Sequence, residues 1–130
     1  MYTGPPIITD ISSGIGITTP EPNVRHVRVL LSPMLQKGLE DFAIGHTTVP
    51  AYQHGIKHNH PEGAEVWMFV SGKGHAVLDD QKIDVSAGSI VYTPTGTSHQ
   101  FINTGDEEVK IYFLYVPSGP ERSIIEGKFR

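Results

Sequence analysis

The stretch "HNHPEGAEVWMFVSG", residues 58–72, decides the fold that the sequence predicts. It holds two histidines one residue apart, a glutamate, and a hydrophobic run that ends at a glycine. Side chains alternate between the faces of a strand, so a strand over 56–60 would point His58 and His60 the same way. A turn at 61–63 would bring Glu65 beside them. Imidazole plus carboxylate suits a first-row transition metal better than Ca²⁺ or Mg²⁺.

Taken alone, the two histidines have a simpler interpretation. A surface hairpin with solvated histidines is the commoner meaning of this short pattern, because histidine is often exposed. A second stretch, "GSIVYTPTGTSHQFIN" at 88–103, changes that balance. There Gly96 permits a left-handed turn, and the strand that follows places His99, Phe101 and Asn103 on one face.

Together the two stretches resemble the two motifs of the cupin superfamily. The first has His, one residue, His, four residues, Glu, six residues and Gly, and the second has Gly, five residues, Pro, one residue, Gly, two residues, His, three residues and Asn. The resemblance covers roughly residues 39–117. One position departs from the pattern: the glycine expected six residues before the first histidine is Tyr52, and Gly55 lies three residues closer.

The resemblance implies a small β-barrel that binds one divalent transition-metal ion: iron, manganese, nickel, zinc or copper. Carried over residue by residue, it implies a ligand set of His58, His60, Glu65 and His99. Four such ligands leave two positions open on a six-coordinate ion, which is typical of catalytic rather than structural sites.

The rest of the chain predicts an all-β, single-domain antiparallel barrel of the cupin or jelly-roll type. A chain of 130 residues is short for two separate cores. An extended arm over 1–23 is expected to be pinned to a surface or poorly ordered, ahead of a barrel over 24–130. Short segments rich in β-branched and aromatic residues, separated by turn signals, predict strands at 24–31, 39–49, 56–60, 65–72, 75–79, 82–85, 89–93, 99–103 and 109–116. Only the last stretch, 119–130, has weakly helical spacing.

Alternation also predicts the wall of a pocket. Trp67 and Phe69 share the face of Glu65, Phe101 shares that of His99, and an outward Lys110 turns Tyr115 inward. Any small barrel needs such residues for its core, so a structural role for the aromatic residues is at least as well supported as contact with a substrate.

The composition limits the classes of partner that the protein is expected to bind. The net charge of −4 and the scattered basic residues argue against nucleic acid, and no run is long and apolar enough to suggest a membrane span. The absence of cysteine excludes disulfides and thiolate ligands. We therefore expect a cytoplasmic protein with a small-molecule ligand. Exposed strand edges and the N-terminal arm predict a homodimer.

The leading functional hypothesis is a metal-dependent enzyme that acts on a small oxygenated organic molecule by isomerase, lyase, cyclase or dioxygenase chemistry, among which the sequence does not choose. The alternative is a non-catalytic cupin module that binds a sugar or a carboxylate. A storage barrel is a third possibility, which the complete ligand set disfavours.

Overall fold

The computed structural model describes residues 2–59 and 61–128. Along these residues the chain forms nine strands and one short α-helix, preceded by a single 3₁₀ turn at Ile11–Ser13. The strands are β1 (Ile15–Thr18), β2 (His26–Leu31), β3 (Ala43–Val49), β4 (Ala64–Ser71), β5 (Lys73–Leu78), β6 (Gln81–Ser86), β7 (Ile90–Thr93), β8 (His99–Asn103) and β9 (Val109–Val116), and the helix is α1 (Arg122–Ile125).

The strands form two antiparallel sheets that enclose the core between them. The larger has the order β1-β2-β3-β9-β4-β7 and the smaller the order β6-β5-β8. Inward residues of both sheets make one hydrophobic cluster, with Trp67 and Phe113 from the larger sheet and Phe101 from the smaller. The predicted all-β jelly-roll architecture is confirmed, as two facing sheets rather than one closed sheet.

Alternation along β4, β8 and β9 is as predicted. In β4 every second residue from Glu65 to Phe69 is buried, and β8 buries His99, Phe101 and Asn103. In β9 the buried set includes Tyr115, while Lys110 faces solvent. These alternating faces direct the polar residues of the predicted site toward the same interior as the apolar core.

The predicted strand at 56–60 is wrong over its described residues, 56–59. This segment runs beside β8 and touches it at two isolated bridges, His54 with Ile102 and His58 with His99. Between those bridges the loop advances four residues while β8 advances three. The extra residue prevents a regular ladder, as a β-bulge does. His58 is therefore positioned by one backbone pair, with N–H···O distances of 3.0 and 2.7 Å to and from His99.

The N-terminal arm contains a strand that the sequence did not predict. β1 pairs with β2 from Ile15 opposite Val29 to Thr18 opposite His26. Its four residues include Gly16, where an added Cβ would lie 1.7 Å from the Val27 carbonyl oxygen, so the backbones approach closely there. The arm is thus pinned to the larger sheet over this stretch.

Tyr52, at the departure from the motif, has the backbone conformation that a glycine would favour. Its φ is 60°, in the left-handed region, and its side chain is 64% exposed. The turn is held by a 3.1 Å hydrogen bond from the Tyr52 N–H to the Gly105 carbonyl. At this position the chain thus has a left-handed turn although the residue is not glycine.

Replacing Tyr52 with glycine is expected to raise the free energy of unfolding by about 0.5–1 kcal/mol. Relief of left-handed strain is worth ~1–2 kcal/mol, and the extra freedom of glycine in the unfolded chain offsets part of it. Denaturant titration measures the change. The control is Tyr52→Ala, which removes the same exposed ring but keeps the Cβ, and should give no gain. Equal stability of the two variants would contradict the assignment of strain.

The C-terminal segment is anchored through a buried carboxylate. Glu121 is 1% exposed, and its Oε2 accepts a 2.7 Å hydrogen bond from the Ser32 hydroxyl. Its Oε1 accepts from the Gly119 N–H. This anchor holds α1, the short helix predicted for the last stretch, against β1 and β2. Among the described residues no helix is long and apolar enough to cross a membrane.

Candidate metal centre

Three of the four predicted metal ligands come together in the interior. His58 lies on the loop before β4, Glu65 near the start of β4, and His99 at the start of β8. One ligand atom from each lies within 4.8 Å of the others. Glu65 and His99 are buried and His58 is half-buried. The fourth predicted ligand, His60, lies outside the described residues.

The two described histidines are held by their Nδ1 atoms. Nδ1 of His58 is 2.6 Å from the Ile56 carbonyl oxygen, and Nδ1 of His99 is 3.1 Å from the Thr97 carbonyl oxygen. A carbonyl only accepts, so each Nδ1 must donate its proton. Nε2 is then the nitrogen that each neutral ring offers to a metal, and this backbone anchoring is a common arrangement for ligating histidines.

Glu65 is held between a histidine and a tryptophan. Its Oε1 is 2.7 Å from Nε2 of His99, and its Oε2 accepts a 2.7 Å hydrogen bond from the Trp67 indole N–H. Trp67 therefore orients the carboxylate as well as walling the interior. Burial by itself would lower the pKa of His99, but the hydrogen bond and charge of Glu65, with the Thr97 carbonyl, outweigh it and raise that pKa. The donor set of the described residues fits a divalent metal ion.

A cavity of about 80 Å³ opens beside these residues. Its wall includes His58, Glu65 and three of the predicted pocket residues, Trp67, Phe101 and Tyr115. The rest of the wall is largely apolar and comes from β1, β2, β3 and β9 and the C-terminal segment: Ile17, Val27, Val49, Ile111, Phe113, Pro120 and Ile124. The polar side chains on this part of the wall are Arg25, Thr47, Ser123 and Lys128.

The fourth predicted pocket residue, Phe69, has a different position. It is 4% exposed and packs on Trp67 and Phe101, with ring centroids 6.2 and 5.3 Å away. It is absent from the cavity wall and belongs to the core that supports the two aromatic residues in front of it. Alternation predicts which face a residue occupies, but not its depth along that face.

Arg25 is the site residue that sequence reasoning missed. It lies just before β2, is half-buried, and lines the cavity. The C-terminal segment was also missed as part of the wall, where it contributes Ser123, Ile124 and Lys128. No local pattern marks an isolated arginine before a strand. The one sign in the sequence was spacing. Arg25 lies two residues before Val27, which is buried, and in an extended chain residues two apart point to the same side.

The remaining histidines lie outside the cluster. His26 is 2.9 Å from the Thr18 hydroxyl on the surface, and His75 is 2.7 Å from the exposed Asp84 carboxylate. His54 is exposed. His46 is 2% exposed and packs edge-on against Tyr112, and burial, with the positive charge of Lys110, lowers its pKa.

A jelly roll of two antiparallel sheets defines the fold class of this chain, and its interior gathers two histidines and a glutamate in a cluster that is compatible with a metal ion. The chain belongs to the cupin family, because residues 45–116 match the model of the cupin domain. This match covers both motif stretches.

Individual relatives agree with the family. The chain is 31% identical over 91 residues to an uncharacterized protein of Methanocaldococcus jannaschii, covering 70% of this chain and 72% of that one. It is 28% identical over 107 residues to the polyketide synthase CurC of Streptomyces cyaneus, covering 80% and 69%. In structure it is similar to a predicted oxalate decarboxylase of Thermotoga maritima, with a TM-score of 0.75, 16% identity and coverage of 86% and 100%. That last likeness concerns the fold alone.

Proposed function

We propose that this cupin is a metal-dependent enzyme that acts on a small oxygenated organic molecule. One divalent transition-metal ion would be held by His58, His60, Glu65 and His99, and iron, manganese, nickel, zinc or copper each suits such ligands. The observation that carries the proposal is the cluster of His58, Glu65 and His99, of which His58 and Glu65 line the cavity.

The residues around the cluster suit a reactive rather than a purely structural site. Backbone carbonyls fix the two imidazoles, and Trp67 fixes the carboxylate, so the ligands are oriented before anything binds. Phe101 and Tyr115 contribute apolar rings to the wall, beside which electrostatic attraction is stronger than in bulk solvent. A bound divalent ion supplies Lewis-acid polarisation of an oxygen substituent on the substrate.

The charge of the cluster favours oxygen ligands. With Glu65 as its carboxylate ligand, a divalent ion keeps a net charge near +1, which attracts an anionic or enolisable oxygen. Four protein ligands would leave two positions on a six-coordinate ion, and these would suit a bidentate compound, such as a 2-oxo acid, a hydroxy-ketone or a sugar phosphate, better than an amine or a hydrocarbon.

Ligand binding is expected to depend on the metal. Pyruvate, hydroxyacetone and glucose 6-phosphate represent the three compound classes, and each is titrated calorimetrically into metal-loaded and chelator-stripped protein. At least one should bind about tenfold or more weakly to the stripped form, a loss of about 1.4 kcal/mol. Equal affinities in the two forms for all three would show that the metal does not hold the ligand.

Turnover separates the enzyme from a non-catalytic sugar- or carboxylate-binding module. The metal-replete protein is incubated with a panel for isomerase, lyase, cyclase and dioxygenase reactions, and His54→Ala serves as the control that retains the proposed ligands. Product formation by both proteins supports the enzyme. Metal-dependent binding without turnover of any panel member would favour the binding module.

We also propose a homodimer. On the outer face of β4 and β7, Val70, Ile90 and Tyr92 are 51%, 71% and 62% exposed, and β7 is an edge strand of the larger sheet. Exposed apolar side chains beside an open edge favour association, and β1 of the N-terminal arm forms the other edge of the same sheet. Sedimentation equilibrium at micromolar concentrations should give twice the chain mass of 14.2 kDa. A mass of one chain would rule the dimer out.

A further inference from the structure

A positively charged side chain, Arg25, lies beside the proposed metal ligands. It lines the cavity that His58 and Glu65 also line. Its backbone is fixed by Thr19, a residue 1% exposed: the Arg25 N–H donates to the Thr19 hydroxyl at 2.8 Å, and the Arg25 carbonyl accepts from the Thr19 N–H at 2.9 Å. The position of this arginine is therefore set by buried structure rather than by a mobile loop.

The guanidinium is accommodated by a glycine. A Cβ at Gly55 would lie 3.1 Å from Cδ of Arg25 and 3.5 Å from its Nε. Gly55 is itself held by a 3.0 Å hydrogen bond from its N–H to the Phe101 carbonyl. The absence of a side chain at Gly55 thus leaves room for the Arg25 side chain to pack closely against the loop.

Arg25 has unused hydrogen-bonding capacity. Its Nε is buried and has no hydrogen-bond partner among the residues that the structure describes. Burial lowers the pKa of the guanidinium, while the nearby Tyr115 and Glu65 act in the opposite direction. A buried N–H donor without an acceptor is costly, so this atom is suited to an acceptor that arrives with a ligand.

Metal binding would increase the excess of positive charge around Arg25. Glu65 is the carboxylate whose negative charge opposes the effect of burial on the Arg25 pKa. If Glu65 is a metal ligand, its charge is shared with a divalent ion, and the ion, Glu65 and Arg25 together carry a net charge near +2. One anionic group on the substrate then pairs with Arg25 while other oxygens face the metal.

We propose that Arg25 binds the carboxylate of a small 2-oxo or 2-hydroxy acid and so selects the substrate class of this site, an inference that rests on the proposed metal-dependent function. The planar guanidinium matches a carboxylate with paired hydrogen bonds. The cavity favours a small acid over a sugar phosphate, because its volume is about 80 Å³.

The test compares pyruvate with pyruvamide, its neutral analogue of nearly the same shape, by calorimetry on the metal-loaded protein. Wild type should prefer pyruvate. Arg25→Gln should weaken pyruvate binding by about 10- to 100-fold and leave pyruvamide nearly unchanged, since one charge-assisted hydrogen-bonding group is lost. Arg28→Gln is the matched control, because Arg28 is exposed on the outer side of β2, and it should bind both probes as wild type does.

Two further variants guard against a folding artefact. Gly55→Ala keeps the arginine but crowds it, and should lose part of the preference for pyruvate. Arg25→Lys keeps the charge without the planar fork and should fall between wild type and Arg25→Gln. All variants are compared at equal metal content and after thermal melts that show a folded protein.

The outcomes separate this inference from the proposed function. Unchanged pyruvate binding by Arg25→Gln, or equal binding of the two probes by wild type, overturns the role of Arg25. Tighter binding of methyl phosphate than of pyruvate overturns the carboxylate assignment. If hydroxyacetone binds only to the metal-loaded protein, but pyruvate binds no more tightly than pyruvamide, the proposed function stands and this inference fails. If metal changes the binding of no probe, both fail.

Discussion

Replacing His58 and His60 together with alanine is expected to abolish stable metal binding. The double variant removes two of four proposed ligands. Loss of a residue that only supports a ligand already costs about 10–100-fold in metal affinity, so loss of two ligands should exceed about a hundredfold. After dialysis against metal and then buffer, wild type should retain about one ion per chain and the double variant less than about a tenth of that. Elemental analysis by mass spectrometry measures both.

The matched control is His54→Ala. His54 lies on the same loop as His58, is exposed, and contributes no atom to the buried cluster. It should retain the wild-type metal content, which separates loss of ligands from loss of any nearby imidazole. Full occupancy in the double variant would contradict the ligand assignment directly.

His99→Ala is expected to destabilise the metal-free protein by about 3–5 kcal/mol at neutral pH. The His99 ring is 1% exposed and the Glu65 carboxylate 6%, with 2.7 Å between Nε2 and Oε1. Removing one partner of a buried ion pair leaves a buried charge that has lost its compensation, and this is the costly case. Denaturant titration in the presence of a chelator gives the free energy of unfolding without any contribution from metal.

His75→Ala is the control, because its ring makes a pair of the same length with a carboxylate in solvent. Nδ1 of His75 is 2.7 Å from Oδ1 of Asp84, whose side chain is 91% exposed. An exposed pair contributes about 0–1 kcal/mol, so this variant should lose little. The double variant Glu65→Gln/His99→Ala should recover part of the loss by removing the buried charge. Similar small losses in the free energy of unfolding for His99→Ala and His75→Ala would show that the buried His99–Glu65 pair does not stabilise the protein more than the exposed pair does.

The sequence predicted the elements whose pattern is local. Alternation in β4, β8 and β9 was correct because each strand has one face on a shared core, which forces every second residue to be apolar or to carry the site. The turn at Gly96 was also correct, since its φ of 81° lies in the left-handed region, which favours a residue without a Cβ. Three of the predicted ligands, His58, Glu65 and His99, meet in space as their motifs implied.

The sequence failed where tertiary contacts override local pattern. The strand expected at 56–60 is an irregular loop over its described part, because one extra residue between two bridges disrupts the ladder with β8. β1 was missed because Ile15–Thr18 is short and contains a glycine, and only its partner β2 makes it a strand. Phe69 was assigned to the pocket only because alternation puts it on the same face of β4 as Glu65. Alternation does not predict how far along that face a residue lies from the cavity.

The spacing of two residues from the buried Val27 was the one sign of Arg25 in the sequence, and nothing near the C-terminal segment marks it as part of the cavity wall. Arg25 reaches the site by the antiparallel pairing of β2 with β3, and the segment reaches it through the contact between Glu121 and Ser32. Both are long-range consequences of the fold. A pocket assembled from distant segments is visible only once the sheets are in place.

Anomalous diffraction from crystals of metal-loaded protein, measured on both sides of the absorption edge of the metal found by elemental analysis, locates the bound ion directly. We expect one anomalous peak per chain, at bonding distance of about 2.0–2.2 Å from an imidazole nitrogen of His58, His60 and His99 and a carboxylate oxygen of Glu65. A peak bound elsewhere, or fully loaded protein in which these four side chains contact no metal, would contradict the ligand assignment.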